Sequence, residues 1–380
     1  MPSILLVTND FGPRAGGIET FVIGLLERIP PGEVVVYTSS QDGSATFDQR
    51  WLSEYGVEVI RDRSSILLPT PRVIRNLRRL IKARGMETIW FGAAAPLAFS
   101  ARWLRKAGAR HIVALTHGHE VWWSRVWPFS VAMNEIARSI DIATHLGEFT
   151  RKALEPRFKD SRKLIKLAPG IDTEHFKPMD ATDLRKLYEI YDRPTIISVG
   201  RLVHRKGQDR LVEAMKLIVS EVPEALLVFV GEGPHRKKLD SLVKEHKLHS
   251  HVKFIGRIQY SELPRHIALG DIFAMPSRSR LLGLEVEGLG IVYLEASACG
   301  LAVIGGSSGG APDAVRDGET GFVVDGNDVN QIAARAITLL KDKSLRTEMG
   351  ANGRQWAIDE WRWQRWSSEF NKALGIKPSN

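Results

Sequence analysis

Short apolar runs alternate with helix-patterned stretches along almost the whole chain, and the alternation starts twice. Ser3–Thr8 (SILLVT) is a β-rich run, followed by a Gly/Pro loop, Phe11–Gly17, and by Ile18–Ile29, whose apolar residues recur at helical spacing. Glu33–Thr38, Thr88–Phe91, His111–Leu115 and Ile140–Leu146 repeat the strand pattern. It restarts after Pro169 with Thr195–Val199, Ala225–Val230, Val252–Ile255, Ile272–Met275, Ala302–Ile304 and Phe322–Val324. Strands that are apolar throughout and separated by helices require a parallel sheet covered on both faces. The chain is therefore expected to form two successive doubly wound α/β domains, residues 1–168 and 169–355. Residues 356–380 are expected to add a terminal helix that packs back on the first domain. Trp356, Trp363, Trp366 and Phe370 would make one stripe of that helix, suited to core packing.

A length of 380 residues suits two or three domains. The single cysteine, Cys299, excludes a disulfide framework and a cysteine-built zinc site. The longest uncharged stretches fall short of the about 18–20 apolar residues that span a bilayer. The start, MPSILLVTND, has no basic segment of the signal-peptide kind, so a cytosolic protein, or one held on a membrane from the cytosolic side, is expected.

Net charge is +9, and its distribution is uneven. Residues 1–170 hold 24 basic against 16 acidic residues, and the remainder 29 against 28. The first half is thus expected to face an anionic partner: nucleic acid, an acidic metabolite or an anionic lipid surface. Between Pro71 and Gly85 the chain carries Arg72, Arg75, Arg78, Arg79, Lys82 and Arg84 with no acid, opposite an apolar face of Val73, Ile74, Leu77, Leu80 and Ile81. Such a helix can pack its apolar stripe inward and lay its cations on acidic lipid. Trp122, Trp123, Trp127 and Phe129 would anchor at an interface, line an acceptor entrance, or pack in the core.

Five segments carry chemistry. Gly16-Gly17, between a strand and a helix, let the backbone approach an anion such as phosphate, although a tight turn would also select glycine. Gly200–Gly207 (GRLVHRKG) places Arg201, Arg205 and Lys206 at the C-terminal edge of a strand, where α/β sheets bind ligands and where guanidinium and ammonium groups suit phosphate. Glu287–Glu295 (EGLGIVYLE) exposes backbone amides at a helix start, with one carboxylate before the helix and one inside it, an arrangement suited to sugar hydroxyls. Gly305–Gly310 is a second glycine-rich loop, equally readable as a flexible turn. Thr116-His117-Gly118-His119-Glu120 ends a strand with a histidine placed for acid–base work or substrate hydrogen bonding. The two histidines also invite a zinc reading, but no third ligand is evident, and no metal is expected. No G-x-G-x-x-G and no G-x-x-x-x-G-K-[ST] occurs, which counts against nicotinamide and P-loop nucleotide binding.

Together these pieces resemble the retaining glycosyltransferases of the GT-B fold, family four. The motifs are GG-x-E at Gly16–Glu19, THG at Thr116–Gly118, APGID at Ala168–Asp172, SVGRLVHRKG, GEGP at Gly231–Pro234, the E-x7-E pair Glu287/Glu295, and GLAVIG followed by GG-x-P-D. THGHEVWW and LLGLEVEGLGIVYLEASACG more narrowly resemble the actinobacterial mannosyltransferases that build phosphatidylinositol mannosides from GDP-mannose. The resemblance implies two Rossmann-like domains facing across a cleft and a nucleotide-sugar donor as substrate, with no resident cofactor. It also implies a lipid acceptor and a peripheral position on the inner face of the cell membrane. Arg201 and Lys206 would hold the donor diphosphate, which the backbone of Leu289, Gly290 and Ile291 would also meet. Glu295 would bind the ribose, Glu287 the transferred sugar, and the backbone around Arg257 and Ile258 the base. His117 would lie beside the transferred sugar, making His117, Arg201, Lys206 and Glu287 the expected catalytic set. Other readings are a nucleotide-sugar epimerase, a transferase with another donor and a soluble acceptor, and a nucleic-acid binder, which would leave the E-x7-E pair unused.

Overall fold

The computed structural model describes residues 3–13, 16–283 and 285–376. Two compact units are formed, one from residues 1–170 with 363–380 and the other from residues 171–362.

The first unit is built on β1 (Ile4–Thr8), α1 (Gly17–Leu26), β2 (Val34–Thr38), α2 (Ser44–Tyr55), β3 (Glu58–Arg61), α3 (Pro71–Arg84), β4 (Thr88–Phe91), α4 (Ala101–Arg105), β5 (His111–Ala114), α5 (Glu120–Arg125), α6 (Phe129–Ser139), β6 (Ile142–His145), α7 (Glu148–Leu154) and β7 (Leu164–Lys166). The seven strands are parallel in the order β3-β2-β1-β4-β5-β6-β7. Ile4 pairs with Val34 on one side and Thr88 on the other, and all five residues of β1 are buried. The chain lays β2 and β3 on one side of β1, then crosses by α3 to lay β4 on the other. Loops leaving β1 and β4 must diverge there, which opens a ligand crevice at their C-terminal ends. Two strands escape the apolar-run pattern. β3 and β7 are edge strands with no fully buried residue, so their sequences, EVIR and LIK, keep charges that a central strand would exclude.

Helix α3 shows how local chemistry sets an element. Thr70 caps it by accepting from the Val73 amide at 3.4 Å, Pro71 supplies a preset first residue, and Gly85 ends it at φ 64°. Val73, Leu77 and Ile81 are buried in one core with the sheet residues Val35 and Ile89, and Ile74 is buried as well, each contributing about 1.5–3 kcal/mol of burial. The six cations of this helix are not equally available. Arg72 forks onto Asp62 at 2.9 and 2.7 Å, and Arg84 forks onto Glu58, one contact being 2.8 Å. Arg78 is half-buried, which leaves Arg75, Arg79 and Lys82 as the exposed face.

The second unit comprises α8 (Thr182–Leu187), β8 (Thr195–Val199), α9 (Gln208–Glu221), β9 (Leu226–Val230), α10 (Arg236–Glu245), β10 (Val252–Gly256), α11 (Leu263–Ile267), β11 (Ile272–Met275), α12 (Ile291–Ala298), β12 (Ala302–Gly306), β13 (Gly321–Val324), α13 (Val329–Lys341) and α14 (Lys343–Glu360). Its six parallel strands run β10-β9-β8-β11-β12-β13, at the positions the sequence pattern indicates. The switch in winding direction falls between β8 and β11, so the loops after these two strands flank one crevice.

The single terminal helix expected from Trp356 is instead two, α14 and α15 (Trp363–Leu374). Between them the Trp361 carbonyl accepts from the Ile171 amide at 2.6 Å and Arg362 pairs with Ile171, so the backbone leaves helical geometry there. Trp356 stays in the second unit, edge-on to Trp361 with ring centroids 5.5 Å apart. In the first unit Phe370 packs edge-on to Trp90 at 4.8 Å, while Arg28 lies 4.5 Å over the Trp363 ring.

Candidate active site

The loop after β8 is shaped by its glycines. Gly207, at φ 72°, starts α9, and a Cβ there would fall 1.9 Å from the Pro276 carbonyl oxygen. The loop is zipped to the one after β9: the Leu202 amide donates to Glu232 O at 2.9 Å and the His235 amide to Leu202 O at 3.0 Å. The Gly231 amide in turn donates to Gly256 O at 2.8 Å, which ties in Arg257 and Ile258 just beyond β10. Beneath the loop, buried Arg278 donates to Asp209 at 2.6 Å and bonds His204 at 2.8 Å, and its amide holds the Arg205 carbonyl at 2.8 Å.

On this frame Lys206 Nζ stands 2.9 Å from Glu287 Oε2, and Arg205 Nη1 reaches the same oxygen. Burial pushes the Glu287 carboxyl upward in pKa, but the Lys206 and Arg205 charges outweigh it and hold it below the ordinary value. Arg201 is exposed, with no hydrogen bond or ion pair to its side chain among the described residues. The structure thus brings Lys206 to Glu287, while Arg205, part of the expected cationic loop but not of the expected catalytic set, makes the second contact. Three cations in six residues was the available signal; which of them turns inward depends on the short 3-10 turn at His204–Lys206.

Leu289, Gly290 and Ile291 form the approach to α12, with Gly290 at φ 77° as its N-cap. The loop Gly305–Gly310 is a packed shelf, not a free turn: the Gly310 amide donates to Glu287 O at 2.8 Å and Ser308 Oγ accepts from the Glu287 amide at 3.3 Å. Inside α12, Glu295 is buried, and its carboxylate has no hydrogen-bond partner among the described residues. Burial raises its pKa to about 7, with Lys206 opposing. Two carboxylates eight positions apart are therefore shifted in opposite directions.

In the first unit His117 Nε2 lies 2.6 Å from Gly92 O, and Glu120 Oε2 accepts from the His117 amide at 2.9 Å. A carbonyl can only accept, so Nε2 carries the proton and Nδ1 is left as an acceptor. Burial lowers the His117 pKa, so the ring is neutral at neutral pH. His119 Nε2 is 3.2 Å from both Ala95 O and Glu120 Oε1. Gly16 caps α1, and a Cβ on it would fall 2.3 Å from Glu19 Oε2, so only glycine leaves the backbone open there.

Both halves of the chain match family models: Glycosyltransferase Family 4 over residues 15–175 and Glycosyl transferases group 1 over residues 180–356. A GDP-mannose-dependent alpha-(1-6)-phosphatidylinositol monomannoside mannosyltransferase of Mycolicibacterium smegmatis is 44% identical over 364 residues, 95% of each chain. The chain belongs to the family 4 glycosyltransferases. A GDP-mannose-dependent monoacylated alpha-(1-6)-phosphatidylinositol monomannoside mannosyltransferase of Corynebacterium glutamicum is 39% identical over 378 residues, 98% of each. The fold of this glycosyltransferase matches that of Anabaena Alr3699/HepE in complex with UDP, with a TM-score of 0.83 at 19% identity over 99% of this chain and 100% of that one. The architecture is GT-B, with two Rossmann-like parallel-sheet domains.

Proposed function

We propose that this glycosyltransferase moves mannose from GDP-mannose to a phosphatidylinositol monomannoside acceptor, working as a peripheral protein on the inner face of the membrane. The observation that carries the reading is the Lys206–Glu287–Arg205 contact at the switch point of the second sheet, together with buried Glu295, whose carboxylate has no hydrogen-bond partner among the described residues. Lys206 has three donor hydrogens, enough to hold Glu287 and a diphosphate oxygen together, and exposed Arg201 offers a bidentate fork to the same group. These cations stabilise the charge that grows on the leaving diphosphate. Glu295 accepts from the ribose hydroxyls, Glu287 from the transferred sugar, and the backbone at Arg257 and Ile258 faces the base. The amides of Leu289–Ile291 meet the diphosphate. Gly16 and Gly17 give backbone access on the first unit, where His117 Nδ1 accepts from a sugar hydroxyl. The relatives named for transfer to phosphatidylinositol monomannosides, alike over 95% or more of both chains, support the donor and acceptor.

The test is incubation with a panel of nucleotide sugars and purified phosphatidylinositol monomannoside, followed by mass analysis of the lipid. Addition of one mannose from GDP-mannose is expected. Conversion of the donor without acceptor would make the protein an epimerase, and transfer from a different nucleotide sugar would overturn the donor assignment.

A further inference from the structure

The first unit carries an apolar groove of about 680 Å³ that none of the donor-binding residues lines. Its walls include Pro96, Phe99, Trp123, Trp127, Phe129 and Ala132, with Arg102 at the rim. Phe129 packs edge-on against both Trp122 and Trp123, with ring centroids 4.7 and 4.9 Å away, so the floor is a fixed aromatic surface. The rim is different: Trp127 is 79% exposed and Val131 58%. In the chain leading to α3, Ile66 and Leu68 are 64% and 51% exposed, and Pro69 lines the groove. A cluster of large apolar side chains left in water marks a binding surface.

We infer that this groove holds one acyl chain of the lipid acceptor, an inference that rests on the proposed transfer to a phosphatidylinositol mannoside. Two observations choose this occupant. The groove residues neighbour those that hold the His117 loop: Ala95 O, which receives His119, adjoins the groove residue Pro96, and Trp123 lies one turn along α5 from Glu120, which holds the His117 amide. A lipid seated there has its polar end led toward His117. The charge also fits, because Pro69 at the head of α3 adjoins a helix whose exposed Arg75, Arg79 and Lys82 complement a lipid phosphate and its acidic neighbours. A free sugar acceptor would leave the groove without use. Trp123 and Phe129, which the sequence left open between interface, acceptor entrance and core, line the groove, with Trp122 packed on Phe129, and Trp127 stands exposed beside them.

Each methylene seated in such a groove is worth about fourfold in affinity. The experiment compares a long-chain phosphatidylinositol monomannoside with its deacylated, water-soluble counterpart, using wild type, Ala132→Phe, which fills the groove, and Val131→Glu, which charges its rim without touching the core. Both variants are expected to lower kcat/KM on the long-chain acceptor at least tenfold and to leave that on the deacylated one within about twofold. Equal losses on both acceptors, or none on either, overturn the inference. A second readout does not need turnover. Monomeric short-chain phosphatidylinositol with a brominated acyl chain, in the absence of bilayers, should quench tryptophan fluorescence of the wild type and not of Ala132→Phe. Quenching that appears only with vesicles would mean insertion of this surface into a membrane instead, and would also overturn it. If no phosphatidylinositol mannoside is glycosylated but the monomeric lipid still quenches, the acceptor reading fails while the acyl site stands.

Discussion

Lys206 Nζ and Glu287 Oε2 are 2.9 Å apart, and they come from loops on the two sides of the second sheet's switch point. The ion pair therefore joins β8 to β11 as well as poising a cation for substrate. Removing either partner has a structural cost in addition to any loss of chemistry, because the survivor stays buried with less compensation.

Lys206→Met and Arg201→Met should each lower turnover by about 10²–10³, the scale of one preorganised charge donor. Only Lys206→Met should also lower thermal stability, since Arg201 is exposed and unpaired among the described residues and its loss should stay within about 0.5 kcal/mol. Steady-state kinetics with a melting curve for each variant separates the two effects. Near-wild-type turnover in either would remove that residue from the diphosphate site.

Glu287 and Glu295 should respond to pH with opposite signs. The folded-state pKa of Glu287 is lowered, so its stabilisation is present above the unfolded value and is lost as pH falls through the folded one. For Glu295 the folded pKa rises to about 7, so ionising it destabilises the protein increasingly as pH climbs from about 4.5 to 7, by roughly 3 kcal/mol at the top. At pH 8, Glu295→Gln should then melt about 5 °C higher than wild type and Glu287→Gln lower; below about pH 4 the Glu295 difference should vanish. Glu295→Gln should also weaken donor binding, and Glu287→Gln should lower turnover more than affinity. Stabilisation of Glu295→Gln that is the same at both pH values would mean the carboxyl is not ionising in place.

His117→Ala should lower turnover by about 10²-fold, since it removes an oriented hydrogen-bonding group. His117 itself should add no titration to the rate between pH 6.5 and 8, because burial keeps its ring neutral there. Its folded pKa lies below the unfolded one, so its contribution turns unfavourable as pH falls through about 6.5, where the unfolded chain takes up the proton first. A rate that rises with pH through this window, and loses the rise in His117→Ala, would show that a charged imidazole is present.

The central strands were legible because a strand buried on both faces admits only apolar residues: β1 and β8 are buried along their whole length and carry no charge. The edge strands β3 and β7 were not, since half-exposed positions tolerate arginine and lysine. Helical periodicity carries Trp356 and Trp363 smoothly onto one stripe, and nothing local announces the break at Trp361–Arg362; it is made by Ile171, nearly two hundred residues earlier. In the site, motif spacing indicated Lys206 and Glu287, but not that Arg205 would share the same carboxylate oxygen, which depends on how the loops after β8 and β11 meet.

The membrane contact of the first unit should run through three cations of α3. The sequence offered six, and the fold commits Arg72 to Asp62 and Arg84 to Glu58, while Arg78 is half-buried. Arg75, Arg79 and Lys82 remain exposed at i, i+4 and i+7, one ridge of the helix facing away from the buried Val73, Ile74, Leu77 and Ile81. Each cation near an acidic leaflet is worth about 1 kcal/mol, so three give roughly 3 kcal/mol, or about a hundredfold in partitioning, decaying with salt over a Debye length. The triple variant Arg75→Gln, Arg79→Gln, Lys82→Gln should keep its fold, because none of the three has an ion-pair partner among the described residues. By contrast, Arg72→Gln should destabilise the unit, leaving buried Asp62 without its fork. In sedimentation with acidic phospholipid vesicles at low salt, wild type should pellet and the triple variant should remain in solution, with neutral vesicles holding neither. A triple variant that pellets like the wild type, or a wild type that ignores acidic vesicles, would show that this face is not a membrane contact.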